Sequence, residues 1–159
     1  MERRLNKKIY GSYFNSPIGL LEVVGTEDSI CEINYVAEKS SGESETNSYI
    51  EECVNQLEEY FNGGRKEFEL NLQQEGTEFQ KKVWKALVEI PYGVTLSYKE
   101  LANKIGNEKA SRAVGKANSK NIISIIIPCH RVIGADKSLT GYAGGLDRKQ
   151  WLLEHESKN

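Results

Sequence analysis

Over the first part of the chain, apolar and polar positions alternate with a period of two. Cys31, Ile33 and Tyr35 are separated by Glu32 and Asn34, the spacing of a strand with one buried face. Two further candidate strands, at 10–14 and 20–24, flank the turn-forming run Ser16-Pro17-Ile18-Gly19. Residues 37–47 are polar, include Ser40-Ser41-Gly42, and read as an exposed loop. From Ile50 the period lengthens, and Ile50, Cys53, Val54, Leu57 and Phe61 share one helical face. Asn62-Gly63-Gly64 ends that helix. Residues 68–72 read as another strand. A small α/β domain over 1–72 is expected, followed by a linker at 73–76.

The rest reads as mostly helical. Thr77 with Gln80, and Ser97 with Glu100, have the spacing of capping boxes. Phe79, Val83, Ala86, Leu87 and Ile90 give the first helix a core stripe up to Pro91, and the second helix stops at Gly106. Asn107 is placed to cap a third helix running to about Ala117, so that the two helices form a helix-turn-helix. On the third helix Ala110, Ala113, Val114 and Ala117 suit a packing face, opposite Glu108, Ser111, Arg112 and Gly115. Glycine inside a helix costs about 1 kcal/mol relative to alanine. Small residues there let the backbone approach another body closely, with Arg112 reaching beyond it; tight helix packing explains them equally well. The apolar run 122–127, interrupted by Ser124, reads as a buried strand. A glycine-rich loop and a last helix from near Asp147 follow, with Trp151, Leu152 and His155 expected in the core.

Composition narrows the classes. The 159 residues are 28% charged and 38% hydrophobic, which suits one domain or two small ones. No apolar run approaches the roughly 20 residues that span a bilayer. The charged start, Met1 to Lys8, is unlike a secretory signal, and Arg3, Arg4, Lys7 and Lys8 read as a solvated terminus. The net charge of −2 divides unevenly: residues 1–75 carry 7 basic and 15 acidic side chains, residues 76–159 carry 14 and 8. A polyanion is attracted to the second half, although attraction between the halves also fits the pattern. Three widely spaced cysteines without a CxxC suggest neither a disulfide framework nor a zinc site. A reducing, cytoplasmic setting is expected. With two histidines, neither a metal nor another cofactor is expected.

Pro128-Cys129-His130-Arg131-Val132 is the most specific segment. A strand ending at Pro128 would present Cys129 at its tip, where rigid scaffolds commonly hold reactive groups. A free thiol, with a pKa of about 8.5, is a weak nucleophile until deprotonated. His130 can serve as base and Arg131 can add positive potential. Neighbours on extended chain point to opposite sides, so a Cys129–His130 contact needs a turn or a bridging water. Cys31 and Cys53 fall on core faces and read as small buried hydrophobes. Thr140-Gly141-Tyr142-Ala143-Gly144-Gly145 places an aromatic beside flexible backbone, suited to stacking on a planar ligand or to an ordinary turn. Glu156 is either a solvated acid or a partner for His130.

The Pro128–Val132 segment resembles the acceptor-cysteine motif of the O6-alkylguanine-DNA alkyltransferases. Further matches run from about residue 77 to Glu156: Ser97-Tyr98, Arg112-Ala113-Val114-Gly115, Asn121, Gly141-Tyr142-Ala143-Gly144-Gly145, Trp151-Leu152-Leu153 and His155-Glu156. Residues 1–72 are similar in kind to that family's small ribonuclease H-like sheet domain. The resemblance implies a two-domain protein, with 77–159 as a helix-turn-helix DNA-binding and alkyl-acceptor domain. It implies repair of O6-alkylguanine, and of O4-alkylthymine, in double-stranded DNA by one irreversible transfer to the protein's own cysteine. A monomer that needs no membrane is expected.

The resemblance also implies residue roles. Cys129 accepts the alkyl group, His130 acts as its base through a water, and Glu156 orients the imidazole. Tyr98 donates toward guanine N3 and helps turn the nucleotide out. Arg112 fills the gap in the base stack, and Asn121 holds the turn before the acceptor. Ser111, Ala113, Gly115 and Arg131 join Tyr98 and Arg112 at the DNA, with the small face of Ser111 and Gly115 in the minor groove. Tyr142 and Gly144 help form the pocket, the Ala143 amide faces O6, and the carbonyls of Cys129 and Val132 face the exocyclic amine.

The chain departs from the family pattern where Ile122-Ile123-Ser124 follows Asn121 in place of the usual proline, which is expected to loosen that turn. The N-terminal zinc site of some members is expected to be missing. A non-catalytic damage-binding relative is disfavoured by Cys129. A cysteine hydrolase using Cys129, His130 and Glu156 needs no recognition helix, and a plain helix-turn-helix regulator leaves the cysteine motif unexplained.

Overall fold

The computed structural model describes residues 7–40 and 45–159; Arg3 and Arg4 of the basic start and Ser41-Gly42 of the polar loop lie outside them. The chain divides into two compact units, Met1–Glu75 and Gly76–Asn159. In the first, strands β1 (Tyr10–Ser16), β2 (Gly19–Gly25) and β3 (Ile30–Val36) form an antiparallel sheet in sequence order. Gly19, at φ 126°, makes the turn between β1 and β2. Helix α1 (Ser48–Phe61) starts where the Asn47 side chain accepts from the Ile50 amide, and packs on β1 and β2. Its buried face is wider than the expected stripe, because Gln56 and Tyr60 join Ile50, Cys53 and Leu57. The buried Gln56 is tolerated because its side-chain amide accepts from the Glu69 amide. The strand expected at 68–72 is reduced to one parallel bridge between Leu72 and Ile30.

The second unit is built on helices α2 (Glu78–Val88), α3 (Tyr98–Lys104), α4 (Ser111–Ser119) and α5 (Leu146–Lys158). Both expected capping boxes form, at Thr77/Gln80 and at Ser97/Glu100. Helix α4 packs on α2 and α3, and the Trp84 indole of α2 donates to the Ala117 carbonyl of α4 at 2.9 Å. Asn107 does not cap α4. The helix begins later, behind Ala110, and carries no side-chain cap. The reason is local: the Asn107 carbonyl accepts from the Ala110 amide in a turn that delays the helix.

The isoleucine run is not a strand. Residues 121–128 turn back on themselves, with the Ile127 amide bonded to the Ile123 carbonyl and Ile125 at φ 73°. A positive φ at a β-branched residue costs on the order of 1–3 kcal/mol and persists only where the surroundings enforce it. Here Ile123, Ile125, Ile126 and Ile127 are all buried, and Asn121 stitches the turn from within. A fully apolar run fits a buried strand or a buried turn equally well, and here the bonds of Asn121 and Ile127 close it into a turn. In its place a short parallel pair forms between β4 (Leu96–Ser97) and β5 (Val132–Ile133). Among the described residues no helix is long and apolar enough to cross a membrane.

Candidate active site

Cys129, His130 and Arg131 form one 3-10 turn between the Asn121 turn and β5. The β4–β5 pair places Tyr98, the first residue of α3, beside the end of this turn. A 3-10 turn brings consecutive side chains closer in direction than extended chain does, which removes the objection to a Cys129–His130 relay. Asn121 is buried; its amide donates to the carbonyls of Ile123 and Ile127 at 3.3 and 3.1 Å and accepts from the Ile123 amide at 3.0 Å. The turn is therefore closed even with Ile122 in place, whose side chain is exposed.

Three charged or titratable side chains are buried together. His130 Nε2 lies 2.7 Å from Glu156 Oε2, while Arg131 donates from Nε to Oε1 at 2.8 Å and from Nη2 to Oε2 at 3.0 Å. Arg131 Nη1 also donates to the Ile90 carbonyl behind α2 at 2.7 Å. Arg131 is thus 6% exposed and fully engaged, so it is not the DNA-surface residue the sequence suggested. A guanidinium matches a carboxylate two-pronged, and Glu156 offers the only such partner the turn meets on α5.

Burial alone would raise the Glu156 carboxyl, but the hydrogen bond from His130 and the guanidinium of Arg131 outweigh it, holding the group well below the usual carboxylate range. Burial pushes the His130 imidazole down, against the pull of Glu156, so it is neutral at neutral pH. A neutral imidazole brings no charge, so the charge that keeps Glu156 ionised is that of Arg131. An ionised Glu156 accepts, which puts the imidazole proton on Nε2. Nδ1 then carries a lone pair, is buried, and has no hydrogen-bond partner among the described residues. That is the state of a general base. Burial raises the Cys129 thiol, opposed by a hydrogen bond from Asn121 and the charge of Lys149.

Around this core, Tyr142 is buried with its ring edge-on to His130, centroids 6.5 Å apart. The Tyr98 hydroxyl lies 3.0 Å from the Thr140 hydroxyl, and the following Gly141, at φ 56°, adopts a backbone conformation that favours glycine. Ala143 is exposed and Gly144 half-buried. On α4 the buried face is Val114, Ala117 and Asn118; Ala113 faces outward with Arg112, against its expected place in the core, and Ser111 and Gly115 are half-buried. A Cβ on Gly115 would meet the Tyr98 ring at 3.5 Å, an ordinary contact, so Tyr98 packs over this part of the helix. In α5, Leu152 is buried as expected, while Trp151 and His155 are half-buried and stacked on each other.

Sequence reasoning passed over Lys149 and Asn118. Lys149 is completely buried, donating to the carbonyls of Val132 and Thr140 at 2.6 Å each. The Asn118 amide reaches the Cys129 carbonyl at 3.4 Å. The helical position of Lys149, three before buried Leu152, was the available signal. Lysine is so rarely buried without a partner that the pattern reads as solvated.

Two family models match the chain: "6-O-methylguanine DNA methyltransferase, ribonuclease-like domain" over residues 9–74 and "6-O-methylguanine DNA methyltransferase, DNA binding domain" over residues 78–158. A methylated-DNA–protein-cysteine methyltransferase of Methanosarcina acetivorans is 51% identical over 153 residues, covering 93% of this chain and 98% of its own. The crystal structure of the O6-methylguanine methyltransferase of Mycobacterium tuberculosis is similar with a TM-score of 0.86 at 42% identity, over 95% of this chain and 94% of that one. The same mycobacterial protein in complex with DNA matches with a TM-score of 0.83 at 44% identity, over 94% of this chain and 92% of that one.

The buried triad makes the fold acid-sensitive. His130 is held neutral, so the unfolded chain takes up a proton below about pH 6.5 that the folded one does not. Glu156 is held ionised, so the stability it gives is present above about pH 4.3 and is lost as pH falls through its lower folded value. Urea midpoints are expected to fall from neutral pH to pH 5 and more steeply below. Glu156→Ala strands the Arg131 charge in the interior and should cost about 3–5 kcal/mol at neutral pH. A loss below about 1 kcal/mol would mean that water reaches the guanidinium.

Proposed function

The chain belongs to the 6-O-methylguanine DNA methyltransferase family, and from that premise we propose that Cys129 is the residue that takes the alkyl group. The activity is DNA repair by transfer of an alkyl group from methylated DNA to a cysteine of the protein. The observation that carries the assignment is the neutral His130, fixed by Glu156 with its Nδ1 lone pair available, on the same short turn as Cys129. Cys31 and Cys53 lie in the core of the other unit, and burial pushes Cys53 up to about 12.

The transfer balances with these groups. His130 Nδ1 takes the thiol proton through a water, and the thiolate attacks the alkyl carbon on guanine O6. The carbon–oxygen bond breaks as the carbon–sulfur bond forms, and guanine leaves with the electron pair. The Tyr98 phenol donates toward N3 to offset that charge. The product is a thioether, which no group in the site can cleave, so each molecule acts once. O4-alkylthymine presents the same alkyl–oxygen bond and is a second substrate. Tyr142 and Gly144 wall the pocket and the Ala143 amide meets O6. Of the two carbonyls for the exocyclic amine, that of Val132 keeps a lone pair, whereas that of Cys129 already accepts from Val132 and Asn118.

O6 lies inside a stacked helix, so the nucleotide must turn out before attack. Arg112, exposed on α4, enters the vacated stack, with Ser111, Ala113 and Gly115 forming the small surface that approaches the minor groove. The domain split for these tasks is 1–72 and 77–159. Acceptor, base and recognition helix all belong to one chain, in keeping with a monomer. The three free cysteines suit a reducing, cytoplasmic setting.

The test is incubation with duplex DNA carrying labelled O6-methylguanine, read by intact and peptide mass. One methyl group is expected on Cys129, none on Cys129→Ser, and DNA binding should survive the substitution. Repeated turnover, or label on Cys31 or Cys53, would reject the assignment. A second expectation concerns Arg112→Ala. It should slow repair of duplex DNA by tenfold or more, on the order of the 1–3 kcal/mol assigned to one good contact. Reaction with free O6-benzylguanine should be nearly unchanged, since a free base needs no extrusion. Equal losses on both substrates would remove Arg112 from the gap-filling role.

A further inference from the structure

Lys149 is a fully buried ammonium whose bonds go to two backbone carbonyls, Val132 and Thr140, each at 2.6 Å. Among the described residues no carboxylate forms an ion pair with it. Carbonyls satisfy its protons but do not balance its charge, and an unbalanced buried charge is among the most costly features a fold can carry. Such a group calls for an anion that is present in at least one state of the protein.

The surroundings narrow the choice to one. The 3-10 turn contributes His130, which is neutral, and Arg131, which Glu156 of α5 neutralises. The preceding turn contributes uncharged Asn121, and the glycine-rich loop contributes Tyr142. On α5 the neighbouring Arg148 is half-buried and donates to the Gly144 carbonyl. Of the groups there able to turn negative, the Cys129 thiol ionises more readily than the Tyr142 phenol, with ordinary pKa values of about 8.5 and about 10. The link is direct along the backbone: the Val132 amide donates to the Cys129 carbonyl, and the Val132 carbonyl accepts from Lys149. The other carbonyl it holds, that of Thr140, belongs to the residue whose hydroxyl meets Tyr98.

We propose that Lys149 is a positioning residue of the alkyl-transfer site, tying the Cys129 turn to the Thr140 loop and supplying the fixed positive charge that balances the Cys129 thiolate. The inference rests on Cys129 as acceptor. When the thiol proton leaves toward His130, the Lys149 charge offsets the new negative charge. When the carbon–sulfur bond forms, that charge departs with guanine, and Lys149 keeps its proton throughout. Burial lowers the Lys149 ammonium while Cys129 raises it, and the Lys149 charge in turn lowers the thiol, as linkage between two sites requires.

The experiment follows Cys129 carboxamidomethylation by iodoacetamide against pH, read by mass, in wild type, Lys149→Gln and Lys149→Arg. Glutamine keeps donors for the carbonyls without the charge; arginine keeps the charge. The Lys149→Gln profile should move up by about one pH unit, equivalent to about tenfold slower reaction at neutral pH, while Lys149→Arg stays near wild type. An unmoved Lys149→Gln profile, or an equal shift in Lys149→Arg, would overturn the charge role. Should Lys149→Gln fail to fold, the ε-carbon resonance of Lys149 is titrated in wild type and in Cys129→Ala. Loss of the thiol should lower the ammonium midpoint, and equal midpoints would overturn the proposal. Neither reading uses DNA, so a failed methyl transfer to Cys129 is recorded separately from a failed shift.

Discussion

The second unit depends on one buried carboxylate shared between a cation and a neutral base. Glu156 stands 4% exposed near the end of the last helix, with both oxygens engaged. Its ionised state requires Arg131, because an isolated carboxylate would be neutralised by burial rather than tolerated. Arg131 in turn reaches the Ile90 carbonyl, so the same interaction joins the last helix, the acceptor turn and the segment behind α2. A buried pair of this kind adds little net stability compared with apolar packing. What it supplies is a fixed orientation: with Glu156 accepting, the imidazole proton sits on Nε2 and the free lone pair on Nδ1.

Much of this was legible in the sequence where the signal is local. The capping boxes at Thr77 and Ser97 and the β3 strand follow from side-chain spacing and short-range bonds and form as read, while the α1 stripe forms with Gln56 and Tyr60 added and Val54 only half-buried. The ordered motifs from Ser97-Tyr98 to His155-Glu156 carried the family, which the comparisons show independently. The failures are equally physical. The isoleucine run gives no period, so strand and turn could not be told apart until the bonds of Asn121 decided it. Ala113 follows the apolar spacing of its helix, yet a methyl group is too small to commit a face, and Val114 and Asn118 set the rotation.

The polar interior was the least legible part. Glu156 stood between solvated acid and partner, because its fate depends on a contact 26 residues away. Arg131 read as a DNA-facing charge and Lys149 drew no reading, since most such residues are exposed. Their burial is set by partners brought together only in three dimensions: a carboxylate for one, two carbonyls for the other. Local propensity fails here because function requires charge in the interior, and the fold tolerates it only with every proton of the triad's contacts directed.

Burial keeps His130 neutral, and Glu156 keeps it oriented and basic for Cys129. The direct measurement is the pH–rate profile of methyl transfer from O6-methylguanine duplex to Cys129, in wild type and Glu156→Gln, with DNA affinity measured alongside. Replacing the carboxylate removes stabilisation of the imidazolium and leaves the Arg131 charge opposing it, so His130 becomes a weaker base. The expected result is a profile displaced to higher pH, a slower rate at neutral pH and unchanged DNA affinity; superimposable profiles would remove Glu156 from this role.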